Sequence, residues 1–160
     1  MKPPVLAIVA LVISLASPAL GEPMSARPIH WSVGAGGYAA ITGCERTGSL
    51  LDAELFPGGR FGQLGFRIEG RGVGRALPSA VLAGVTLEAA AARPRLVLAL
   101  YATVGANFDR APMVAAGVQS QLFLIGPIAL GFDGGGLLII DGTANTELIL
   151  SGALTVRLGH

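Results

Sequence analysis

The acids and arginines of this chain fall on one side of an alternating pattern, and that spacing limits the chemistry they can do. Asp52 and Glu54 are two residues apart, Arg67, Glu69 and Arg71 keep the same step, and Glu147 and Arg157 share a face ten residues apart. Glu88 and Asp133 take equivalent positions in their own segments. A strand shows its two faces at a period of two, so these charges line one side of a sheet. Paired carboxylates such as Asp52 with Glu54, or Glu69 with Glu88, could exchange protons as general acid and base. Three arginine forks among six acids suit an internal ion-pair network better, each guanidinium bridging two carboxylates. Nucleophilic catalysis needs a base beside a hydroxyl. The two histidines, His30 and His160, precede the first strand and end the chain; they read as solvated terminal residues. The sequence has no Cys/His cluster for a metal, and the Gly34–Gly37 and Asp133–Gly136 runs are not phosphate loops because no helix follows either. Neither a cofactor nor an enzymatic activity is expected.

The elements that must position these residues are read from alternation and from the Gly, Pro, Asn and Asp clusters between apolar runs. Eight strands are expected, over Trp31–Thr42, Ser49–Phe56, Phe61–Gly72, Ser79–Ala91, Arg95–Phe108, Met113–Ile125, Ile128–Asp141 and Thr146–Leu158. Their apolar side carries Leu64, Phe66, Val85, Leu98, Leu100, Val118, Leu122, Leu130, Phe132, Leu150 and Leu154. Trp31, Phe56, Phe61 and Phe108 sit near strand ends, where interface anchors would lie. Short connections make neighbours pair as antiparallel hairpins in up-and-down order, and closing the sheet removes two exposed edges. The expected fold is therefore all-β, a closed eight-stranded antiparallel barrel over residues 31–160.

Composition points the apolar side outward. Only 13% of residues are charged, against about 25–35% for a soluble surface. Mean hydropathy is +0.65. The polar side is rich in small residues, among them Gly34, Gly65, Gly84, Gly105, Gly117, Gly131 and Gly135. Glycine weakens a strand without packing return on a wetted surface, whereas the interior of a narrow barrel is crowded and needs small groups. The charged set Asp52, Glu54, Arg67, Glu69, Arg71, Glu88, Asp133, Glu147 and Arg157 would then fill the lumen as paired, hydrogen-bonded groups. The Leu, Val, Ile and Phe side would face lipid. A secreted soluble barrel of the lipocalin or avidin kind, binding an apolar ligand between its strands, is the alternative.

Residues 1–21 read as an export signal: Lys2, the apolar run Val5–Leu15, then small residues up to Gly21. Residues 22–30 would be a short segment preceding the barrel. Lys2 is the only lysine and formal net charge is +1, which leaves no basic footprint for nucleic acid. Cys44 is the one cysteine and cannot form an internal disulfide. It reads as a thiol in a turn.

Strand count, short turns, an apolar outward face and an acid–arginine lumen including Glu54, Arg67, Glu69 and Arg157 make the chain resemble the small eight-stranded bacterial outer-membrane barrels of the OmpA/OmpX type. That resemblance implies a location in the outer membrane, with membrane lipid and the barrel-assembly machinery as partners and a structural or interaction role. It also places the amino terminus and the turns near Gly58, Arg93 and Gly126 on the periplasmic side. The chain departs from the family pattern at its end: Leu154, Val156 and Leu158 alternate as expected, but Gly159-His160 stands where an aromatic residue usually closes the last strand.

Overall fold

Alternating apolar residues, interrupted by glycine and proline turns, form eight antiparallel strands in the computed structural model. The structure describes residues 28–42, 47–59, 63–72, 78–89, 95–108, 111–140 and 144–159. The strands are β1 (His30–Ala40), β2 (Thr47–Phe56), β3 (Leu64–Arg71), β4 (Ala80–Glu88), β5 (Leu96–Asn107), β6 (Pro112–Ile125), β7 (Ile128–Ile140) and β8 (Ala144–Leu158). Each pairs with its sequence neighbours, and β8 returns to pair with β1, so the barrel is closed. The tightest connection is Gly126-Pro127, where Gly126 takes φ 54°, a left-handed conformation that glycine adopts without a Cβ penalty. The residues proposed for the export signal lie outside the described residues, as do Cys44, Phe61, Arg93 and His160.

The register sets the shape of the wall. A path across the ladders runs from Trp31 to Leu55, Phe66, Val85, Ala102, Ala116, Gly136 and Leu148. The Leu148 carbonyl accepts the backbone N–H of Ile41, so the path returns just past the end of β1, ten residues beyond its start. Stagger and tilt are linked in a closed sheet, and each strand therefore contributes its inward side chains at a different height. One end of the cylinder carries the end of β2 and start of β3, the end of β4 and start of β5, and the turn at 126–127, with the start of β1 and the end of β8. We call this the turn end; the other, where β1 ends and β2 begins, β3 ends and β4 begins, β5 ends and β6 begins, and β7 ends and β8 begins, is the loop end.

Parity assigns the two faces. In β2, Leu50, Asp52, Glu54 and Phe56 are buried while Leu51 and Leu55 are exposed. In β3, Arg67, Glu69 and Arg71 are buried while Leu64, Phe66 and Ile68 are exposed. Exposed Leu, Val, Ile and Phe side chains continue around every strand to Leu150, Leu154 and Val156 on β8. Glycine permits this narrow closure. A Cβ on Gly84 would stand 1.9 Å from the Ala102 carbonyl oxygen and 2.7 Å from the Thr103 Cα.

The interior differs from an all-polar filling. Toward the loop end, Tyr38, Ala40, Ala80, Leu82, Tyr101, Met113, Ala115, Leu137, Ile139 and Ile149 form one apolar cluster inside the barrel. Phe56 also departs from the expected anchor role. It points inward, 1% exposed, and stacks on His30 with ring centroids 4.4 Å apart.

Candidate functional site

The inward charges meet where β2 and β3 face β7. Arg67, completely buried on β3, bridges three carboxylates rather than two: Nη1 to Glu54 Oε1 at 3.0 Å, Nη2 to Asp133 Oδ2 at 3.0 Å, and Nε to Glu69 Oε2 at 3.3 Å. Its guanidinium lies over the Tyr101 ring, 4.5 Å from the centroid, adding a cation–π contact to the charge pairing. Four residues on along the same strand, Arg71 clasps Glu69 with two bonds, Nε to Oε1 and Nη2 to Oε2, both 3.1 Å. A planar guanidinium matches a carboxylate in this bidentate way.

Neutral donors complete the shells. Glu54 accepts from Ser32 Oγ and Thr86 Oγ1 at 3.1 Å, and from Gln121 Nε2 at 3.5 Å. Glu69 accepts from Thr103 Oγ1 at 2.8 Å. Buried carboxylates are tolerated only when paired and saturated with donors, and Glu54 and Glu69 meet that condition. Asp52 stands against Gly34, whose missing side chain makes room for its carboxylate. Among the described residues Asp52 has no ion pair, and its Oδ2 has no hydrogen-bond partner.

A second cluster occupies the turn end. Arg157 pairs with Glu88, Nη1 to Oε1 at 2.7 Å and Nη2 to Oε2 at 3.1 Å. His30 Nε2 stands 3.6 Å from the same Oε1. Phe56 and Phe123 border this cluster, with the Arg157 guanidinium carbon 5.7 and 5.9 Å from their ring centroids. The sequence position of His30 implies a solvated terminal residue, yet it is the first residue of β1 and is 4% exposed. Even parity with Ser32 and Gly34 was the signal that it belongs to the inner face.

The nine charges singled out from sequence thus separate into groups. Glu54, Arg67, Glu69, Arg71 and Asp133 form one network, and Glu88 and Arg157 form a second with His30. Asp52 lies beside the first network, and Glu147 is buried on β8 toward the loop end. Of the apolar set, Leu64, Phe66, Val85, Leu98, Val118, Leu122, Phe132, Leu150 and Leu154 are exposed on the outer face, while Leu100 and Leu130 share that face half-buried. Chemically the lumen is a set of ion pairs with an excess of acids, six carboxylates against three arginines among the nine charges. Each inward arginine is paired with at least one carboxylate, though Arg71 Nη1 is buried without a hydrogen-bond partner, and no cluster of three or more His, Cys, Asp and Glu suited to a metal ion occurs among the described residues. No protein-family model and no curated protein matches the chain.

Proposed function

We propose that this protein is an integral outer-membrane β-barrel, exported by its amino-terminal segment and serving a non-enzymatic structural or interaction role. One observation carries this reading. The aliphatic side of the wall faces outward around the whole circumference while the ion pairs lie inside. Soluble monomers rarely expose contiguous apolar patches beyond a few hundred Å². Here Trp31, Val33, Leu51, Leu55, Phe66, Ile68, Val85, Val104, Phe132, Leu150 and Leu154 are each about two-fifths or more exposed, and they encircle the molecule. Hydrocarbon is the surrounding that such a belt fits. Among the described residues no helix is long and apolar enough to cross a membrane; a closed barrel crosses with its strands, because every backbone group is paired within the wall. The strands of 8 to 15 residues are in keeping with the roughly 9–11 residues a tilted transmembrane strand needs.

A soluble barrel holding an apolar ligand would need the aliphatic side inside. The interior instead holds Glu54, Arg67, Glu69 and Asp133 in mutual contact. Membrane lipid is the proposed partner of the outer face, and the barrel-assembly machinery the partner during insertion. The test is cell fractionation of the full chain with heat-modifiable migration on a gel. Recovery in the outer-membrane fraction, with a migration shift on boiling, supports the proposal. A folded monomer stable in detergent-free buffer ends it.

A further inference from the structure

We propose that the bilayer is locally thinned where it meets β2 and β3, because the apolar belt on that side of the barrel stops short of the loop end. The inference rests on the membrane reading above and adds to it the side on which lipid is disturbed.

The height of the belt differs from strand to strand. A residue in a strand tilted by about 40° rises about 2.5 Å along the barrel axis. On β8 the outward apolar positions run from Leu148 to Leu158, and on β7 from Ile128 to Ile140. Those runs are about 25 and 30 Å tall, enough for the apolar band of about 25 Å expected of an outer-membrane barrel. On β2 the large outward apolar residues run only from Leu51 to Leu55, and on β3 from Leu64 to Ile68, about 10 Å each. Beyond them toward the loop end, the outward positions hold Ser49 and Thr47 on β2 and Gly70 on β3.

The register puts these runs on one scale. A path around the wall gains ten residues over eight ladders, about one and a quarter residues per ladder. On that scale the turn-end edges, Leu55, Leu64, Ile128 and Leu158, lie within about three residues of one level. The loop-end edges Leu51 and Ile68 lie about four to seven residues below Leu148 and Ile140. The shortfall is therefore at one end and on one side. Tilting the barrel cannot absorb it, because a tilt that raises Leu51 into line also raises Leu55 and carries the turn-end edge out of line. A hydrophobic wall shorter than the surrounding hydrocarbon thins the bilayer beside it, and here the leaflet at the loop end gives way. Thr47, exposed on the outer face, then meets headgroups and water rather than acyl chains.

Tryptophan depth on opposite sides of the barrel tests this. Leu51 on β2 and Ala116 on β6 are four ladders apart, face outward, and lie within about one residue of the same height. Each is changed to Trp in a Trp31→Phe background of the full chain, in phosphatidylcholine vesicles brominated either near the glycerol or near the chain ends. Leu51→Trp is expected to be quenched about two-fold more by the shallow bromine than by the deep one, and Ala116→Trp the reverse. Equal profiles from the two variants, once heat-modifiable migration shows both folded, overturn the thinning and leave the membrane reading standing. No quenching of either by either lipid overturns both. Should a tryptophan variant fail to fold, nitroxides on Leu51→Cys and Ala116→Cys in a Cys44→Ser background decide by collision with oxygen or with a water-soluble nickel chelate. Greater access of nickel to position 51 than to position 116 supports the proposal, and equal access overturns it.

Discussion

Arg67 is the residue on which the interior depends, because its one guanidinium compensates three carboxylates from three strands. Removing one partner of a buried ionic group is far more costly than replacing the whole group, since the remaining charges stay desolvated. Arg67→Ala should therefore destabilise the barrel by about 3–5 kcal/mol, read as a lower urea midpoint from the fluorescence of Trp31, the single tryptophan. Combining Arg67→Met with Glu54→Gln and Asp133→Asn should recover most of that loss. No recovery would mean that the pairing geometry, rather than charge compensation, holds the interior. Phe56 gives a second test. Stacked on His30 and bordered by Arg157, it is buried where an interface anchor would be exposed to lipid. Phe56→Ala should cost about 3–5 kcal/mol, as for a large core truncation. A loss under about 1 kcal/mol, typical of a surface change, would return Phe56 to the outer face.

Strand identity was legible in the sequence because charges mark one parity. Arg67, Glu69 and Arg71 against Leu64, Phe66 and Ile68 leave only one assignment of faces. The legibility fades toward the loop end. Leu137 to Ile140 and Leu148 to Leu150 are apolar at every position, so a period-two pattern has no local contrast there, and the inward Leu137, Ile139 and Ile149 are told from their outward neighbours only by the parity carried along the strand from Asp133 and Glu147. The same holds for Leu50 beside Leu51. The division of nine charges into separate clusters was not legible either, because it depends on register across the barrel rather than on spacing within a strand. Glycine is the third element-scale feature, and it yields a paired prediction. At Gly84 an added Cβ would press on the backbone of β5, which cannot move without breaking the β4–β5 ladder, whereas at Gly136 it meets nothing within 4 Å. Gly84→Ala should cost about 1–3 kcal/mol or more, as overpacking does, and lower refolding yield. Gly136→Ala should stay within about 0.5 kcal/mol of the parent. Equal tolerance at both positions, measured by urea midpoint and heat-modifiable migration, would show that β4 and β5 are not so closely apposed.

At the scale of the whole molecule, a charge placed on the outer wall should register its depth in the bilayer. The closed register fixes the relative height of outward residues independently of any membrane. Val118 sits midway along β6, paired with Leu100 on one side and Gly134 on the other. Leu98 is the third residue of β5, close to the turn end. In hydrocarbon an arginine on the lipid face costs about 2–4 kcal/mol at the midplane and about 0–1 near an interface. Val118→Arg should therefore destabilise the barrel in lipid vesicles by about 2–4 kcal/mol, and Leu98→Arg by about 0–1. Water around the wall would give no such gradient, because an exposed arginine is solvated equally well at either height. The two variants, unfolded in urea from vesicles of one lipid composition, thus compare surroundings rather than packing. Equal midpoints would place the aliphatic wall in something other than a bilayer, and a larger loss at Leu98 than at Val118 would shift the hydrocarbon slab toward the turn end.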